Sequence, residues 1–225
     1  MGYFKLYVKQ ILSLTTQHNM QSKQAAWRFA WDIPAFRLKL VSGLLCMAAI
    51  IFYLHDFFQF IQGRNGLILH DSVLRAIPAI DVSPLIFLIL YPVSGYLIWR
   101  IRKNSKLCIT ALWGYIFLCL GRMITISLIP LNPPVGLIHL SDPFSVIFYG
   151  DNLITKDLFF SGHTATIVLI GLCLEGKREK YIVFTAALVL GILLLVQHIH
   201  YTADVIAAPF FSYLFWYLGK TVAKI

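Results

Sequence analysis

The sequence predicts an all-α protein: an integral membrane bundle of six transmembrane helices with both termini on the cytoplasmic side. Three observations carry this. Hydrophobic residues make up 59% of the 225, and charged residues only 13%, about half the roughly 25% of soluble domains. Several apolar runs approach or reach the roughly 20 residues that cross a bilayer as helix. The basic residues also concentrate in alternate connections, as positive charge does on the cytoplasmic side of a membrane.

Residues 1–39 read as a cytoplasmic, basic N-terminal segment. The first long apolar run starts only near Leu40, so no secretory leader is expected. Phe4, Tyr7, Val8, Ile11 and Leu12 recur at helical spacing beside Lys5 and Lys9. That pattern predicts either an amphipathic helix on the membrane surface or a solvated tail. Trp27, Phe29 and Trp31 suit interfacial anchoring before the first span. Spans are then expected at 40–60, 84–101, 107–129, 159–175, 181–199 and 200–218. The membrane domain is therefore 40–218, and 219–225 forms a cytoplasmic tail. RKNSK separates the second span from the third, and EGKREK the fourth from the fifth.

The charges fix the expected orientation. Fifteen of the 19 Lys and Arg lie in the N-terminal segment, 100–106, 176–180 and the C-terminal tail. The alternate side, 61–83 and 130–158, carries only Arg64, Arg75 and Lys156, against Asp71, Asp81, Asp142, Asp151 and Asp157. Topology and anionic lipid thus account for the formal charge of +9. No nucleic-acid partner is implied, and oligomeric state stays open. Cys46, Cys108, Cys119 and Cys173 all fall within apolar runs without metal-ligand spacing. They read as small buried side chains, with no disulfide framework.

Ionisable groups inside spans are costly and point to function. Arg122 lies in the outer half of the third span, His163 opens the fourth, and His200 and Asp204 lie where the fifth meets the sixth. The topology gathers all four at one depth on the non-cytoplasmic face, which is periplasmic or exterior in a bacterium and lumenal in a eukaryote. On a helix, His200 and Asp204 would be i and i+4 and share a face. A carboxylate there orients an imidazole and stabilises its cation, as in a catalytic triad. His198 points elsewhere and reads as a surface or packing residue. One histidine suits a nucleophile or base and the other a proton donor, while an arginine fork suits phosphate. This reads as phosphoryl-transfer chemistry on a lipid headgroup, and it predicts that 40–218 is a catalytic domain. The histidines lack a dependable zinc spacing, so no metal and no cofactor is expected.

At these residues the sequence resembles the PAP2 lipid phosphatase/phosphotransferase superfamily, and most of all its sphingomyelin synthase branch. DLFFSGHT (157–164) is similar to that branch's D-x-x-x-S-G-H-T block, and HYTADVI (200–206) to its H-Y-T-x-D-V block. RMIT (122–125), followed by Pro130 and Pro133, resembles its R-x-I-T segment; LHDSVLRAIPAID (69–81) is a weaker likeness to an acidic loop before the second span. The resemblance covers roughly 65–215. It implies a six-helix core without catalytic metal, in which His200 attacks phosphorus to give a phosphohistidine and Asp204 orients it. His163 would serve as acid toward the leaving diacylglycerol oxygen, and Arg122 would hold phosphate. Asp157 matches an acidic position six before the histidine. Leu194, where phosphatases of the superfamily carry arginine, and Phe160, where they carry proline, favour the synthase branch. Thr155-Lys156 departs from that branch's usual Cys-Gly.

Ser161 and Gly162 precede His163 at a helix start, where backbone amides suit phosphate oxygens and glycine permits close approach. A simple Ser161 cap is compatible with that role. The long loop 130–158 suits a lid or substrate-binding role. Phe144, Phe148, Tyr149 and Tyr201 are candidates for cation–π contact with a choline headgroup, although interfacial aromatics are the simpler reading. The expected activity is transfer of a phosphocholine- or phosphoethanolamine-type headgroup from a phospholipid donor to a lipid acceptor such as ceramide. The alternatives are hydrolysis, as in a lipid phosphatase or phospholipase C, and non-catalytic lipid binding or transport.

Overall fold

The structure, a computed structural model, describes residues 27–140 and 154–224. The expected surface helix within 1–26 and the aromatics at 144–149 lie outside the described residues. A helical turn at 27–32 leads into α1 (Pro34–Gln62), then α2 (Ser72–Ala76), α3 (Ser83–Ile101), α4 (Ser105–Leu128), α5 (Gly162–Cys173), α6 (Lys177–Val196) and α7 (Thr202–Val222). The described residues contain no strand beyond one isolated bridge, Leu67 to Leu131. Five helices, α1, α3, α4, α6 and α7, are long and apolar enough to cross a membrane. They expose large apolar side chains such as Leu38, Phe52, Leu88, Ile182 and Phe210. That pattern fits an integral multipass membrane protein, because lipid solvates apolar side chains as a core does.

The expected fourth span is the main departure. The apolar run around 159–175 gives a helix of only 12 residues. At about 1.5 Å per residue it covers about 18 Å, short of the roughly 30 Å hydrocarbon core. Leu158 and Phe160 are apolar and buried, yet lie outside the helix. Helix α5 is instead the hub of the bundle. Thr164, Ala165, Ile167, Val168, Leu169 and Ile170 are all buried among α4, α6 and α7. The non-helical approach is tolerated because its polar groups find partners inside the protein: the Thr125 hydroxyl donates to the Phe159 carbonyl at 2.9 Å, and the Ser161 amide to the Asp204 carbonyl at 3.1 Å.

Other boundaries shift for local reasons. Helix α1 starts at Pro34, before the expected residue 40, with proline in its first turn where no amide is needed. Cys46 is exposed rather than buried, because it lies on an outward face of α1. Helices α4 and α7 pack closely where glycine removes a side chain. A Cβ on Gly219 would stand 2.6 Å from the Gly114 amide nitrogen, and one on Gly121 would stand 2.1 Å from the Phe215 ring. This contact sets α7, and with it the residues at its start, against α4, which carries Arg122.

Candidate active site

The last turns of α4, the starts of α5 and α7, and the end of α6 meet at one end of the bundle. Helix α6 stops at Val196, and residues 197–201 form a tight turn before α7. Gln197 anchors that turn: its side chain donates to the Ser83 hydroxyl at 2.7 Å and to the Ile138 and His139 carbonyls, and accepts from the Val82 amide. His198 packs inside, with Nδ1 3.0 Å from the Val135 carbonyl oxygen and Nε2 3.0 Å from that of Ile77. These contacts hold it in the left-handed region at φ 54°. His198 is therefore a strut between loops.

His200 lies outside α7, so the expected helical i,i+4 geometry is not what pairs it with Asp204. Tyr201 is the N-cap of α7 and Asp204 its third residue. The carboxylate reaches back around the helix start: Asp204 Oδ2 accepts from the Tyr201 amide at 2.9 Å and faces His200 Nδ1 at 3.4 Å. Both side chains are buried, at 2% and 0% exposure. A positive charge formed on His200 would meet a carboxylate that is as buried as the ring itself. His200 Nδ1 and Asp204 Oδ1 have no hydrogen-bond partner among the described residues. Such contacts are often loose before substrate binds and tighten in the reacting complex.

His163 faces His200 with ring centroids 6.3 Å apart. It is the second residue of α5, after a start fixed by Ser161, whose hydroxyl oxygen accepts from the Thr164 amide at 3.4 Å. Arg122 comes in from α4. A Cβ on Gly162 would lie 1.3 Å from Arg122 Nη1, so the guanidinium occupies the space that a side chain there would take. Arg122 Nη2 donates to Asp157 Oδ1 at 2.5 Å. All seven residues expected from the sequence (Arg122, Asp157, Ser161, Gly162, His163, His200 and Asp204) thus converge. Their chemistry matches phosphoryl transfer: a carboxylate-backed imidazole, a second imidazole opposite it, and a cation at a helix start suited to an anion.

Two residues have roles that the sequence did not reveal. Tyr201 is not a headgroup contact: it is 1% exposed, and its hydroxyl donates to the Asn132 carbonyl at 2.9 Å and accepts from the Leu69 amide at 3.2 Å. The change Tyr201→Phe leaves both backbone groups without that partner. It is expected to cost about 1–3 kcal/mol of stability, read by thermal unfolding in detergent, with a smaller effect on turnover.

Asp71 is the other. Its Oδ1 accepts from the Val73 and Leu74 amides and the Thr202 hydroxyl, and its Oδ2 from the Thr202 amide at 2.7 Å. Burial pushes its pKa up, but these hydrogen bonds outweigh burial and hold the carboxyl below its usual value. Asp81 is likewise held low by the Ser83 hydroxyl and amide.

No curated protein sequence matches the chain. Residues 156–221, which hold α5, α6, nearly all of α7 and the facing pair His163 and His200, match the family model described as PAP2 superfamily C-terminal. That domain points to chemistry of the lipid phosphatase or phosphotransferase type, and the match supports membership of the PAP2 superfamily.

Proposed function

We propose that this protein is a membrane phosphotransferase of the sphingomyelin synthase type. It moves a phosphocholine- or phosphoethanolamine-type headgroup from a glycerophospholipid to a lipid hydroxyl such as that of ceramide. The observation that carries this reading is the meeting of His163, His200–Asp204 and Arg122 at one end of a membrane bundle.

Each residue then has a task. His200 Nδ1 is turned toward Asp204, which leaves Nε2 to attack phosphorus. The P–N bond forms as the bond to the diacylglycerol oxygen breaks, and His163 gives that oxygen its proton. His163 then removes the proton of the acceptor hydroxyl. The hydroxyl oxygen attacks phosphorus, the P–N bond breaks, and His200 is regenerated. Asp204 stabilises the histidine cation, and Arg122 with the start of α5 holds the phosphate oxygens. Ser161 fixes that start, and Asp157 fixes Arg122.

The membrane assignment goes with this chemistry. Residues 40–218 form the catalytic unit, with both termini cytoplasmic and the site on the opposite face. The non-helical residues before α5 and the helix itself together make the sixth crossing.

The test is headgroup fate. Purified protein in lipid nanodiscs receives headgroup-labelled phosphatidylcholine or phosphatidylethanolamine, with and without ceramide or diacylglycerol. Label on a new lipid, lost in His200→Ala, is the expected result. Label released only into water makes the protein a hydrolase. Label that stays on the donor in every mixture overturns the reading.

A further inference from the structure

The His200 turn has an anchor on its far side that the two-histidine chemistry does not account for. The first amides of a helix lack intrahelical acceptors. Tyr201 caps α7 without offering a side-chain acceptor to them. The amide of Thr202, the first residue of α7, is instead served by Asp71, 131 residues earlier in the chain. The same carboxylate caps α2, of which it is the N-cap. Asp71 therefore joins two helix starts through four accepted hydrogen bonds. Its negative charge also lies at the positive end of the α7 dipole.

The arrangement bears on Asp204. Asp204 Oδ2 serves both the Tyr201 amide and His200 Nδ1. If it alone held the start of α7, any movement toward His200 would loosen the turn that presents His200. Asp71 holds that start independently, through the residue next to Tyr201.

We infer that Asp71 is a positioning residue: through Thr202 it sets where α7 begins, and so where His200 stands relative to His163. This rests on the phosphotransfer reading of the site. A small displacement of a reacting group costs on the order of a hundredfold in rate. A defect in placement lowers kcat, whereas a defect in ground-state binding raises KM.

The experiment compares wild type, Asp71→Ala, Asp71→Asn and His200→Ala in nanodiscs, by headgroup transfer and by backbone amide exchange over 199–204. Asp71→Ala is expected to lower kcat by between about ten- and a hundredfold, with KM within about twofold, and to speed exchange across that segment. Asp71→Asn keeps an oxygen for the α2 amides but loses the carboxylate partner of Thr202. Its expected defect is smaller and of the same kind, and it carries the test if the alanine variant does not fold. Wild-type kcat in Asp71→Asn and Asp71→Ala beside a dead His200→Ala overturns the inference and leaves the phosphotransfer reading intact. So does a loss of rate that only follows a loss of folded protein. If wild type and His200→Ala are equally inert, the phosphotransfer reading fails. Exchange then decides alone, and unchanged exchange at 199–204 in Asp71→Asn overturns the inference.

Discussion

His200→Ala is expected to lose headgroup turnover by at least about a thousandfold, the scale on which a nucleophile's removal acts when the rest of its site survives. Binding should be much less affected. Arg122, the start of α5 and the lipid-facing helices remain, so KM for the donor should change little. Asp204→Asn tests the second half of the pair. The amide matches the carboxylate in size but cannot stabilise a histidine cation. A fall of about a hundredfold to ten-thousandfold in kcat is expected, in line with the loss when a triad aspartate becomes asparagine. His163→Ala should also be severely impaired, and its defect should depend on the leaving group. A donor whose leaving oxygen needs no proton, such as a p-nitrophenyl ester of phosphocholine, should recover formation of the phosphoenzyme in His163→Ala but not in His200→Ala. Full turnover in His200→Ala would remove the nucleophile from the mechanism, whatever the family resemblance. Equal recovery of both histidine variants by the activated donor would cancel the division of labour between them.

The sequence made the site more legible than the scaffold beside it. His163, His200, Asp204 and Arg122 stand out because ionisable groups in apolar surroundings are rare, and alternating loop charge was enough to bring them to one end. The short hub helix α5 was not legible. Leu158, Phe159 and Phe160 extend an apolar run, and composition does not separate a buried irregular segment from buried helix. The spacing of His200 and Asp204 indicates proximity, and the two groups do face each other at 3.4 Å, but the cause differs. A spacing of four places residues together within a helix, and a helix start reached by a carboxylate at its third position does the same. The pattern lacks the backbone break at 197–201 that decides between them. Asp71 and Tyr201 were illegible for a different reason. Their partners, Thr202, Leu69 and Asn132, are 131, 132 and 69 residues away, and local sequence holds no signal for such pairings. Tyr201 offered a misleading one, since an aromatic at a headgroup-level site reads as a ligand contact when its hydroxyl is in fact tying two loops.

Gly162→Ala is expected to cost about a hundredfold in kcat/KM, although helix propensity predicts the opposite direction for stability. Gly162 is the first residue of α5, and its backbone does not require positive φ. Alanine within a helix is better than glycine by about 1 kcal/mol, so on local grounds the substitution is harmless or mildly stabilising. The steric consequence falls on Arg122. The new methyl would lie 1.3 Å from Nη1 and 2.5 Å from Cζ, and the guanidinium, at the end of a flexible side chain, must move away. It then loses its 2.5 Å bond to Asp157 and its place over the start of α5, where phosphate is expected to bind. Removing one such preorganised donor costs on the order of a hundredfold or more. Gly95→Ala in α3 is the control, because a Cβ there meets nothing within 4 Å among the described residues, and its activity should equal wild type. Arg122→Ala should resemble Gly162→Ala. The double variant should be no worse than the poorer single one, because both changes remove the same interaction and their costs do not add. Additive losses would mean that Gly162 acts on something other than Arg122, most simply the backbone of α5. Wild-type kcat/KM in Gly162→Ala would show that the guanidinium position seen here is not the one in which phosphate is bound.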